Sequence, residues 1–205
     1  MSANIIKLHQ SFENRRSIYA LNNTLPVSQQ AVIDAVEHAI LHTPSSFNSQ
    51  TTRIVVLFDD EHKRLWDITE KNLREIVGNG DFSTTEQKMN GFRAAAGTVL
   101  YFEDENDVKT LQEQFALYAQ SFPIWAEHTS AMHQYVIWTA LSEMGIGANL
   151  QHYAPVIEHN VAQAFNIPSN WKMIAQMPFG GIDAPAGDKD FKPISERLRI
   201  LGQDK

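Results

Sequence analysis

The 205-residue sequence has no cysteine. That excludes disulfides, zinc–thiolate sites, iron–sulfur clusters held by thiolates, and thiol nucleophiles. Any redox chemistry would place its electrons on an organic cofactor, or on a metal held by histidines and carboxylates. Long apolar runs are also missing, and none approaches the ~20 residues that span a bilayer. Met1 to Gln10 lacks an apolar core flanked by basic residues, so it does not read as a secretory signal and the expected location is cytoplasmic. Positive charge is scarce. Lys and Arg number 17 against 24 Asp and Glu, for a net charge of −7, and no basic stripe of the kind nucleic-acid binders carry is visible. The G-x-G starts Gly78-Asn79-Gly80 and Gly145-Ile146-Gly147 do not follow a strand with a third glycine in place, which argues against a dinucleotide-binding unit. There is no G-x-x-x-x-G-K-S/T, G-x-S-x-G or H-E-x-x-H pattern. His38 and His42 have a metal-compatible spacing on a helix, but no third ligand is placed, and no metal site is expected.

What remains is ordinary globular composition, 43% hydrophobic and 20% charged, in a length that suits one domain over residues 1–205. Ser28 reads as an N-cap. Behind it, Val32, Ile33, Val36, Ala39 and Ile40 share a helical face that ends before Pro44. Residues 53–58, 98–102 and 171–177 read as strands. Residues 61–77, 84–93, 106–120, 123–144 and 155–165 read as helices. Apolar residues surround much of the 123–144 helix, which predicts that it is largely buried. Pro178-Phe179-Gly180-Gly181 reads as a turn. The tail from about 184 to 205 is polar and then apolar at its end, so it should pack on something. The fold class is α+β, a central mixed or antiparallel sheet flanked by helices.

Four segments carry candidate chemistry. In Arg15-Arg16-Ser17, two guanidinium forks beside a hydroxyl suit a phosphate dianion; taken alone, a solvated surface triplet is the commoner outcome. In Pro44-Ser45-Ser46-Phe47-Asn48-Ser49-Gln50, short polar side chains and backbone amides could grip the edge of a planar heterocycle, or simply form a loop. In Gln176-Met177-Pro178-Phe179-Gly180-Gly181, the glycines would let the backbone approach a ligand, or make a plain turn. Arg197 and Arg199 would lie on one face of an extended tail, ready for an anion or for solvent.

Taken together and in this order, these segments resemble the nitroreductase-like family of FMN flavoproteins, over residues 12–201. The run 147–153, Gly-Ala-Asn-Leu-Gln-His-Tyr, is similar to the branch that includes the yeast fatty-acid-repression protein and the copper-induced bacterial nitroreductases. The resemblance implies a domain-embracing homodimer, with the tail on the partner subunit and FMN at the interface. Arg15, Arg16, Ser17 and Tyr19 would hold the phosphate and part of the flavin, with Arg197 and Arg199 closing on the phosphate. Pro44, Ser45, Ser46, Asn48 and Gln50 would line the ring from the other subunit, and Gly180 and Gly181 would offer amides to it. Phe47 and His152 would stand on the substrate side.

One position departs from the family pattern. Many relatives carry Lys or Arg two residues after the serine, where this sequence has Tyr19; Arg16 or Lys88 could supply the missing cation. The activity implied is a ping-pong, two-electron exchange between NAD(P)H and a nitroaromatic or quinone, with the flavin rather than a side chain carrying the chemistry. The alternative is a flavin-binding stress or lipid-signalling protein with little turnover.

Overall fold

The strand Gly97–Asp104 is buried at every position, which places it inside the sheet with both faces covered. A computed structural model describes residues 2–202 and shows how. In chain order the strands are β1 (Leu21–Asn22), β2 (Thr52–Phe58), β3 (Gly97–Asp104), β4 (Gly147–Ala148) and β5 (Trp171–Ile182). The sheet runs β1-β5-β3-β2, with β4 also on β5, and its strand pairs are antiparallel. Met1 and residues 203–205, the ends of the expected domain and tail, lie outside the described residues.

Alternation along β3 sorts the core into two layers. Val99 and Tyr101 pack with Ala175, Met177 and Phe179 of β5 against α2 (Gln29–His42) and α6 (Phe122–Glu143). Leu100 and Phe102 face the other way, toward α3 (Asp59–Val77), α4 (Ser83–Arg93) and α7 (Ala154–Phe165). Ser28 caps α2 as expected, accepting from Ala31 N at 3.2 Å. Gly78 closes α3 at φ 58°, a conformation that costs glycine little.

Three expectations need correction, and one helix was not anticipated. A helix α1 (Ala3–Asn14) precedes the first motif, with no buried residue to announce it in the sequence. The 106–120 helix stops early: α5 spans Glu105–Gln114, Phe115 leaves helical geometry at φ −125°, ψ 64°, and a single 3-10 turn covers Ala116–Tyr118. The 178–181 stretch is not a turn, because β5 runs through it to Ile182. Its glycines answer to packing: a Cβ on Gly180 would strike the Asn22 carbonyl, and one on Gly181 the Thr24 carbonyl. Finally, α6 is only partly covered within one chain. Met132, Tyr135 and Val136 are exposed, beside Phe12 of α1. Among the described residues, no helix is long and apolar enough to cross a membrane.

Candidate functional site

The first motif is fixed by backbone bonds at the β1 edge of the sheet. Ser17 bridges Ala148, Ile18 N donates to Ala148 O at 2.9 Å, and the buried Asn149 side chain donates to Ile18 O at 2.8 Å. Asn149 N donates in turn to Pro178 O. A Cβ at Gly147 would press on the side chains of Leu21, Ile18 and Ile182. With its backbone held and Ile18 buried, the segment turns Tyr19 outward, 62% exposed.

Tyr19 stands between two clefts. One, about 600 Å³, is walled by Tyr19, Phe92 and Tyr153, with Thr84, Gln87, Lys88 and Gln151 as its polar groups. The other, about 480 Å³, is lined by Arg15, Arg16, Ser17, Asp188 and Lys189 among others. The first suits a flat heterocycle edged by hydrogen-bonding groups. The second sets three cations against one carboxylate and suits a phosphate ester. Arg15 lies over the Trp138 ring, 4.3 Å from guanidinium carbon to centroid. Its Nε is buried without a partner among the described residues. Arg16 Nη2 donates to Gly187 O at 2.6 Å, tying the 185–189 segment across the basic cleft. Burial pushes the Tyr153 hydroxyl above the ordinary tyrosine range, so it stays neutral.

The remaining candidates fall elsewhere. Arg197 and Arg199 are exposed and are not among the groups lining the basic cleft; Lys189 is there instead. The sequence reading missed Lys189, and its signal was only a lone cation in a polar stretch. His152 is exposed, and its neighbours Gln151 and Tyr153 reach the cleft without it. Lys88, the proposed stand-in for a cation at position 19, does line the cleft with Tyr19. The Pro44–Gln50 loop leads into β2, at the opposite edge of the sheet. Ser45 and Gln50 face a third cavity of about 380 Å³ with Arg53, His133 and Trp171. Phe47 turns away into a group of aromatic rings. Gly180 and Gly181 are buried in β5.

Several titratable groups are buried outside these clefts. His62 is fully buried, with Nδ1 2.8 Å from Thr98 Oγ1, and burial lowers its pKa to about 4. The carbonyls of Phe92 and Arg93 only partly oppose that shift. Burial also lowers His133 and raises Glu103, whose carboxyl accepts from the Thr51 and Thr52 hydroxyls at 2.6 Å each.

The nitroreductase family model matches residues 12–181. The nitroreductase FRM2 of Saccharomyces cerevisiae is 37% identical over 183 residues, covering 87% of this chain and 89% of that protein. The structure of nitroreductase CinD from Lactococcus lactis, in complex with nicotinic acid, is 44% identical with a TM-score of 0.90, covering 95% of this chain and 99% of that one. A crystal structure of a nitroreductase from Saccharomyces cerevisiae is 33% identical with a TM-score of 0.76, covering 85% and 95%.

Proposed function

The chain belongs to the nitroreductase family, and from that premise we propose that it works as a homodimeric, FMN-dependent NAD(P)H oxidoreductase that reduces nitroaromatics, quinones or both. The observation that carries this reading is the pair of clefts meeting at Tyr19, one flat and aromatic-walled, the other basic. The residues fit FMN. Its phosphate would answer the unpartnered Arg15 Nε, with Arg16, Ser17 and Lys189 around it. Its ring system would lie along Tyr19, with Lys88, Gln87 and Gln151 at the edge. When bound, FMN supplies a two-electron carrier that no side chain of this sequence offers. The chain's own part is to bind, to orient and to hold charge. Lys88, which lines the cleft with Tyr19, would supply the cation for the negative charge of reduced flavin that position 19 lacks.

The sheet order supports a site shared by two chains. Arg15–Tyr19 leads into β1 and Pro44–Gln50 into β2, at opposite edges with β5 and β3 between. Three strand spacings amount to about 14 Å. One ring system cannot touch both segments of one chain, so Pro44, Ser45, Ser46, Asn48 and Gln50 would reach the flavin from a partner. The exposed apolar residues agree with this. Met132, Tyr135 and Val136 of α6 and Ile6, Leu8 and Phe12 of α1 lie open, as do Phe191, Ile194, Leu198, Ile200 and Leu201 of the tail. Exposure on that scale marks an interaction surface. The tail would carry Arg197 and Arg199 onto the partner. CinD has also been solved with chloramphenicol and with 4-nitrophenol, both aromatic nitro compounds, which favours acceptors of that class here.

An absorbance spectrum taken before and after anaerobic addition of NADH or NADPH tests the reading. A flavin band that bleaches is expected, followed by parallel double-reciprocal lines with a quinone. A colourless protein that fails to bind added FMN would refute it.

A further inference from the structure

We propose that a buried trio, Thr98, His62 and Trp66, positions the flat cleft, with His62 holding the end of α4 so that Lys88 stands at the flavin. This rests on the reading above, in which that cleft receives the flavin ring. α4 supplies most of the cleft. Thr84, Gln87, Lys88, Gly91 and Phe92 all line it, and their spacing puts them on one face of the helix. The ion pairs of α4 with α3 are partly open to solvent: Arg93 with Asp67 at 2.7 Å and with Glu70, and Arg74 with Glu86 at 2.6 Å. Pairs of that kind hold weakly. A deeper tie runs through α3 to β3.

Thr98 is the fixed point. It lies in β3, paired to Leu57 of β2 and Pro178 of β5, and is fully buried. His62 and Trp66 reach it from successive turns of α3, and both are fully buried. Trp66 Nε1 can only donate, and it donates to Thr98 Oγ1 at 3.0 Å. The Thr98 hydroxyl keeps its own proton to give, and His62 Nδ1 stands 2.8 Å away. Burial keeps the His62 ring neutral, and the carbonyls of Phe92 and Arg93 face it. A bare ring nitrogen turned to two carbonyls would be repelled. Nδ1 therefore accepts from Thr98, and Nε2 carries the proton toward the C-terminal turn of α4.

That turn is where helix carbonyls lack helical partners. His62 Nε2 is buried and has no well-aligned partner among the described residues. A buried donor in that state favours whatever movement completes its bond, so His62 draws the end of α4 inward. Trp66 supports the aromatic wall in the same way. Its ring centroid lies 4.7 Å from Phe92 and 6.1 Å from Tyr153, and both of those rings line the cleft. One hydroxyl on an inner strand thus sets the seat of a cation and of two rings.

The test compares FMN affinity and the two-electron midpoint potential of bound FMN among variants. Lys88→Met removes the cation and should lower the potential, because reduced flavin loses its countercharge. His62→Leu should lower it by about 30 mV, a tenfold loss of preference for reduced over oxidised FMN. Thr98→Val, close to threonine in shape, should move it the same way by less, and it covers a failure of His62→Leu to fold. His62→Gln keeps an N–H near the place of Nε2 and should recover most of the potential. Adding His62→Leu to Lys88→Met should lower the potential no further, since His62 acts through Lys88. Potentials of His62→Leu and Thr98→Val that match the wild type overturn the proposal and leave the functional reading standing. So does a double variant in which the two losses add. A colourless protein that takes up no FMN overturns both, and its absorbance spectrum separates that failure from the other.

Discussion

The two motifs that frame the candidate site are built in opposite ways. Arg15–Tyr19 is stitched to β4 by Ala148 and Asn149, crossed by the 185–189 segment, and opens on clefts that its own chain completes. Pro44–Gln50 is held by bonds within itself and by one from the Arg53 guanidinium to Gln50 O at 2.7 Å, turns an aromatic ring outward, and puts three non-glycine residues in left-handed geometry. The first region resembles a finished receptor and the second an arm. In the proposed dimer, a chain that carries both, at opposite edges of one sheet, would supply one half of each of two equivalent sites. The contrast makes quantitative demands on both regions.

The largest effect should come from the surface that would bring the halves together. Val136 on α6 is 40% exposed in the single chain, on the same helix as exposed Met132 and Tyr135. If a partner covers it, Val136→Glu would bury an uncompensated charge, which costs about 3–5 kcal/mol. Sedimentation should then show monomers, and FMN should be lost with the dimer, because the arm no longer reaches the receptor. A monomeric variant that keeps full FMN affinity would break the comparison.

A second effect comes from acid. His62 sits under α4, and the carbonyls of Phe92 and Arg93 face it; Phe92 itself walls the flat cleft. Its pKa falls from 6.5 in the unfolded chain to about 4 in the fold, so the unfolded chain binds the extra proton between those values. Its contribution to stability is present above pH 6.5 and is lost as pH falls toward 4. The gap corresponds to about 3 kcal/mol. His133 acts in the same direction, and Glu103 in the opposite one, since its raised pKa favours the fold as the carboxyl takes up a proton. Urea titrations from pH 7 to pH 4.5 should show this loss, and His62→Asn should flatten it. The receptor side should loosen before the arm does.

Next come the cations. Arg16→Ala should weaken FMN binding by about 1.5–3 kcal/mol, the worth of one charge-assisted contact, read by flavin fluorescence on the apoprotein. Lys189→Ala should fall in the same range, because Lys189 lines the basic cleft within one chain. With the tail carried onto the partner, Arg197→Ala and Arg199→Ala should each cost a similar amount, and a negligible loss at both would take the tail away from the phosphate. A loss at Arg197 that matches the loss at Lys189 would show that the receptor is itself completed by the second chain.

Much of this was legible in the sequence, for local reasons. Ser28, Pro44 and Gly78 punctuate the chain through their own backbone chemistry, and β2, β3 and α6 follow from apolar patterning. What was not legible depends on distant contacts. Pro178-Phe179-Gly180-Gly181 has the composition of a turn, yet it is strand, because it pairs with β3 and β1; its glycines stand where Asn22 and Thr24 pack close enough to forbid a Cβ. The helix stop at Phe115 has no glycine or proline to announce it, and it becomes intelligible only from the rings around Phe47. Lys189 was passed over for the more conspicuous Arg197 and Arg199, since only the folded path of 185–189 brings it to Arg16.

The smallest effect tests the arm itself. Gln50 holds φ 50°, where a side chain costs roughly 1–2 kcal/mol and glycine pays almost nothing. Gln50→Gly should recover part of that cost, less the greater freedom glycine has when unfolded. The net gain should be at most about 1 kcal/mol, which for a chain of this size is a rise in Tm of about 2–4 °C. The variant also loses the bond from Gln50 Nε2 to Asn48 O, which braces the loop at 3.3 Å. A strained arm kept for binding should therefore gain thermal stability and lose FMN affinity together. If Tm falls instead, the left-handed geometry is paid back locally by the Gln50 side chain, and the arm is as self-sufficient as the receptor.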